Sequence, residues 1–126
     1  MPTVPVTELR PSQLYLSAAK LRAVLEWFDV DEPTYGPLAA FRHDGEWYLA
    51  DGHTRAFVAW LAGADRFPVE RDRSVRTDHD FAVYRRCVEW CAEAGVRTVP
   101  DLRGRVVGPD AYERRWVERC RRVAEE

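Results

Sequence analysis

The sequence predicts an α/β (α+β) fold: a small mixed sheet with a β-hairpin and packed helices over residues 1–70, followed by an all-helical extension of the same domain over 71–126. Three observations point there. Asp44-Gly45 stands between two apolar runs, the pairing expected where both central residues of a tight hairpin turn need positive φ. In the first half, short β-type runs alternate with runs that place apolar residues at i, i+3, i+4 and i+7, whereas past Arg71 only helical spacing recurs. Finally, 126 residues with 46% hydrophobic and 12% aromatic content suffice for one core and leave no room for a second full domain.

Taken in order, residues 3–9 place Val4, Val6 and Leu9 inward on a short strand that Pro5 marks as an edge and Pro11 ends. Ser17 is a helix N-cap, and Leu21, Val24, Leu25 and Phe28 form the apolar face of the helix behind it. Residues 29–37, with two prolines and a glycine, make a loop. The hairpin spans 38–50. A helix over 56–61 ends at Gly63, and Phe67, Pro68 and Val69 form a last short strand. In the extension, Thr77 caps a helix striped by Phe81, Tyr84, Val88 and Cys91 and stopped by Gly95, and residues 98–102 form a short helix. Gly108-Pro109 opens a final helix with Tyr112, Trp116, Cys120 and Val123 on one face.

Charge and composition narrow the function. A net charge of -2 gives no global attraction to nucleic acid or to an anionic membrane surface, so any such partner must be held by a local patch. The start, MPTVPVTELRP, lacks a basic n-region followed by an apolar run, and no stretch approaches a membrane span, so a cytoplasmic protein is expected. Cys87, Cys91 and Cys120 are odd in number and fall in helical segments, which suits reduced thiols rather than a disulfide framework.

Between the hairpin and the helix after it lie Asp51, Gly52, His53, Thr54 and Arg55. A strand feeding a helix through a glycine leaves first-turn amides without partners at the positive end of the helix dipole, a place suited to anions. Gly52 lets the backbone approach a ligand, Thr54 offers a hydroxyl, and Arg55 offers a fork that matches phosphate oxygens. His53 is suited to donating to phosphate or passing a proton, and Asp51 to orienting a neighbour, holding a metal ion or accepting a proton from a hydroxyl. Turn and cap chemistry alone also accounts for Asp51, Gly52 and Thr54.

The order strand, proline turn, helix, hairpin, DGHTR, helix, strand is similar to the ParB/sulfiredoxin-like superfamily over residues 3–70. The segment PSQLYLSAAKL, 11–21, resembles the sulfiredoxin stretch that ends in a phosphate-contacting lysine. Lys20 falls on that position, and it is the only lysine, arginine supplying the other 18 of 19 Lys and Arg residues. His53 stands where sulfiredoxins carry their catalytic cysteine, and neither the Gly-Glu-Arg-Arg box nor the second nucleotide motif of chromosome-partitioning ParB proteins is present. The box most resembles the Asp-Gly-His-x-Arg of ParB-like free-serine kinases, matched by Asp51, Gly52, His53 and Arg55. The resemblance implies Asp51 and His53 as catalytic residues and Lys20, Gly52, His53, Thr54 and Arg55 as the nucleotide- and phosphate-binding set, with ATP, ADP or CTP and Mg²⁺ as cofactors. One departure matters: where those kinases carry a catalytic glutamate this chain has Gln13, which cannot take a proton, and no motif places Glu8 in its stead.

Other constellations carry less. Cys87 and Cys91 with His79 have zinc-like helical spacing but no fourth ligand, and small apolar filler is the simpler reading. Trp47 is a candidate for stacking on a base. The basic run 113–122 is interrupted by Glu113 and Glu118, which favours a solvated face or a homodimer helix presenting Tyr112, Trp116 and Val123 over a nucleic-acid contact. The expected function is binding of a nucleotide or phosphorylated small molecule, extended in the catalytic case to a nucleotide-dependent phosphotransferase or nucleotide hydrolase. The alternative is a non-catalytic adaptor or regulatory module associated with nucleic acid.

Overall fold

A computed structural model describes residues 2–72 and 78–125, with the backbone alone over 78–80. The chain is mixed α/β. Strands β1 (Thr3–Pro5), β2 (Leu9–Arg10), β4 (Leu38–His43), β5 (Glu46–Leu49) and β6 (Arg66–Arg71) form a five-stranded sheet in the order β1-β6-β4-β5-β2. β1 runs antiparallel to β6, β6 parallel to β4, β4 antiparallel to β5, and β5 parallel to β2. Strand β3 (Leu16–Ser17) pairs in parallel with β7 (Val106–Val107) in a separate ladder.

The hairpin turns as its Asp-Gly pair requires, with φ of 51° at Asp44 and 79° at Gly45. The segment 3–9, expected as one strand, is two: a 3₁₀ turn over Val6–Glu8 separates β1 from β2. These two strands occupy opposite edges of the sheet although only three residues join them, so the sheet must curl until its edges approach.

Ser17 caps helix α1 (Ala18–Trp27), its hydroxyl accepting from the Lys20 N–H at 3.3 Å. Leu21 and Val24 pack on the core, as does Phe28 just past the helix. Leu25, expected inward, is 54% exposed because α1 lies on the core along one side only and no residue of it is fully buried. Helix α2 (His53–Leu61) begins three residues earlier than the 56–61 expected, and buries Ala56, Phe57, Val58 and Ala59 against Leu9, Leu38, Leu49 and Phe67. The extension is not wholly helical. Besides α3 (Asp78–Ala94), a 3₁₀ turn at Val99–Leu102, α4 (Pro109–Tyr112), a π-helical stretch at Glu113–Val117 and α5 (Glu118–Ala124), it supplies β7. The expected Thr77 cap lies outside the described residues.

Phe81, Tyr84 and Val88 cover Phe41 and Tyr48 on the far face of the hairpin. One turn on, Cys87, Trp90 and Cys91 join Val99, Leu102 and Trp116 in the same apolar cluster as the sheet and α2. Burial pushes the Cys91 thiol up to about 12, so it sits there protonated as apolar filler. Cys87 and Cys120 approach to 4.0 Å between α3 and α5. No group of three metal-ligating side chains occurs among the described residues, and the side chain of His79 lies outside them. No helix among them is long and apolar enough to cross a membrane.

Candidate functional site

Helix α2 starts directly after β5, and the corner between them is made by Asp51 and Gly52. Gly52 holds a left-handed φ of 82°. A Cβ there would stand 2.8 Å from Arg55 Nη2 and 2.9 Å from Leu38 Cδ2, so the guanidinium lies close over the glycine in space a side chain would fill. Sequence reasoning allowed Asp51 or Thr54 to cap α2. Neither does. No side chain caps this helix, its first turn closes through Ala56 N–H to the Gly52 carbonyl at 2.9 Å, and Asp51 Oδ1 instead accepts from the Gly52 N–H at 2.8 Å. The first-turn amides therefore face outward uncapped at the positive end of the helix.

His53 and Thr54 are buried, at 4% and 8% exposure, on the first turn of α2. The Ser12 backbone N–H donates to His53 Nε2 at 2.9 Å, while the Ser12 hydroxyl donates to the Leu49 carbonyl and locks the proline turn onto β5. Burial lowers the His53 pKa to about 4; the negative charge of Asp51 works in the opposite direction and Lys20 in the same one. The imidazole is thus neutral near pH 7. With Nε2 accepting, its single proton belongs on Nδ1. No fully enclosed side-chain nitrogen or oxygen lacks a partner among the described residues, and no bond to Nδ1 is formed. His53 also borders the accessible space between α1 and α2.

This space is a cavity of about 380 Å³ between α1 and the start of α2, lined by Lys20, Trp27, Asp51, Gly52, His53, Thr54 and Arg55, with Gln13, Ala23 and Val24 completing its wall. Lys20, Asp51, Gly52, His53, Thr54 and Arg55, the catalytic and phosphate-binding set the resemblance implied, all border it. Lys20 projects from the first turn of α1, its Nζ 5.4 Å from the centre of the Tyr112 ring. Gln13 Nε2 donates to the Tyr15 carbonyl at 2.6 Å and to the Tyr112 hydroxyl at 3.1 Å. Burial raises the Tyr112 pKa, and the charge of Asp51 adds to it.

Sequence reasoning missed Ser12, Tyr112 and Trp27. Ser12 and Tyr112 reach the corner only through tertiary packing. Trp27 carried a local signal, since Lys20, Ala23, Val24 and Trp27 share a helix face at i, i+3, i+4 and i+7. Trp47 lies elsewhere: it lines a separate cavity of about 400 Å³ with Thr3, Glu8 and Arg66, and the Arg42 guanidinium sits 5.1 Å from its ring centre.

The sequence matches no protein-family model and no curated protein. Among solved structures the chain is similar to protein Atu1540 from Agrobacterium tumefaciens, at 14% identity and a TM-score of 0.44, over 76% of this chain and 48% of that one. The chain spans about half the length of that structure.

Proposed function

We propose that the corner between β5 and α2 binds the phosphate groups of a nucleotide (ATP, ADP or CTP with Mg²⁺) or of a phosphorylated small molecule. One observation carries the reading: the uncapped first turn of α2, Lys20, Arg55 and His53 line one cavity. The resemblance of the Asp51, Gly52, His53 and Arg55 box to the serine kinases supports the same ligand class. Asp51 is the one carboxylate lining this cavity among the described residues, which suits a Mg²⁺ ion shared with phosphate oxygens.

Phosphotransfer to a small hydroxylated acceptor requires a base. Gln13 cannot serve and His53 Nε2 already accepts from Ser12, so in the transfer reading Asp51 acts as the base in place of holding Mg²⁺. A second reading, binding without transfer as in an adaptor or regulatory module, is favoured by one contact. Gln13, at the position of the kinase glutamate, is a bridge between the Tyr15 carbonyl and the Tyr112 hydroxyl.

Calorimetry and product analysis with ATP, ADP and CTP plus Mg²⁺, with serine as trial acceptor, test both readings. Binding that Arg55→Ala weakens about ten-fold or more is expected, the loss of charge-assisted hydrogen bonds. Turnover abolished by Asp51→Asn marks the enzyme, and binding without turnover marks the adaptor. Unchanged affinity in Arg55→Ala refutes the pocket.

A further inference from the structure

The cavity is lined by two chemically different groups of residues. Its lining includes Lys20, Arg55 and the first turn of α2 and also Ala23, Val24 and Trp27, with Lys20 and Trp27 two turns apart along one face of α1. Trp27 is 51% exposed, a large apolar ring left open on the rim of a site. It is not loose. Its ring lies 5.9 Å from that of Phe28, itself 92% withdrawn from solvent at 8% exposure and stacked on Tyr35 at 5.8 Å. Lys20 and Trp27 are seven positions apart on one face, about 10 Å along a helix that rises 1.5 Å per residue. Leu25, the other large apolar residue exposed on α1, lies at roughly 160° from Trp27 around a helix that turns 100° per residue. Trp27 therefore belongs to the cavity and not to a general greasy face of α1.

We infer that Trp27 is a stacking platform for the base of the ligand, so that the site takes a nucleotide, base on the indole and phosphates at the corner of α2, in preference to a phosphorylated molecule without a flat ring. The inference rests on the proposed phosphate site and adds the other half of the ligand. The anion-binding end is more than a helix terminus, because the Lys20 ammonium, the Arg55 guanidinium and the buried His53 line the cavity beside it. Ring stacking tolerates any base, since every base has a π-face.

The test is calorimetry of the full chain with ADP and with inorganic pyrophosphate, on the wild type, Trp27→Ala and Trp27→Phe. The wild type binds ADP more tightly than pyrophosphate. Trp27→Ala loses about ten-fold or more in ADP affinity, within the range of one base–aromatic stack, while pyrophosphate stays within about two-fold. Trp27→Phe recovers most of the ADP affinity, which distinguishes stacking from a fold defect. Equal losses for both ligands, or no loss for ADP, overturn the platform. Wild-type binding of pyrophosphate as tight as of ADP also overturns it while leaving the phosphate site standing, and binding of neither ligand sinks both.

Discussion

Gly52 meets two demands that no other residue meets together: a left-handed backbone and an empty position beneath the Arg55 guanidinium and beside the buried Leu38. Gly52→Ala is expected to cost about 2 kcal/mol or more, the left-handed penalty plus displacement of a packed leucine. Urea unfolding measures it, and a loss under about 0.5 kcal/mol would contradict the geometry. His53 makes a pH-dependent contribution whose sign follows from burial. Its folded pKa, about 4, lies below the ordinary 6.5, so between those values the unfolded chain binds the extra proton. The stability it contributes is complete above pH 6.5 and is lost as pH falls toward 4, on the order of 3 kcal/mol at most. The wild-type advantage in unfolding free energy over His53→Gln should rise across that window and be flat above it; a flat difference throughout would place the imidazole in solvent.

At the scale of elements, the Ser17 cap is the clearest single support of α1. Ser17→Ala should lower stability by about 1 kcal/mol, seen as a shifted urea midpoint with an unchanged slope. A changed slope would mean that α1 had come away altogether. Ser17 and the hairpin turn were legible in the sequence because their chemistry is local: a hydroxyl facing the helix N–H three residues on, and a residue pair that accepts positive φ. Strand partners were not. Alternation over residues 3–9 cannot reveal that Val4 faces Phe67 while Leu9 faces Trp47 on the opposite edge, for those partners lie some 40 or 60 residues away. A two-residue strand such as β7 has no period to detect at all. Helical spacing likewise gave the face of α1 but not how far around the core would reach, which is why Leu25 was misplaced.

For the whole molecule, both halves share one apolar cluster: Trp116, 7% exposed, meets Trp90 edge-on at 6.0 Å, and Cys87, Val99 and Leu102 join the sheet residues around α2. Trp116→Ala is expected to cost about 3–5 kcal/mol. Truncation after Val107 should abolish cooperative thermal unfolding and the near-UV circular dichroism of packed rings; a truncated chain that melts sharply would show residues 1–107 to be self-sufficient without Trp116. The candidate site is divided the same way. Its charged cluster was legible because five of its residues are consecutive, whereas Tyr112 reaches Gln13 across 99 positions and leaves no local trace. Tyr112 and the β3–β7 ladder also set an order of events during synthesis. Leu16 must wait for Val106, and Lys20 for Tyr112, before the wall beside the corner is closed. A ribosome-bound nascent chain that has exposed the hairpin and α2 but not Tyr112 therefore displays the corner without its buttress, and the wall is completed only once Tyr112 has emerged and packed.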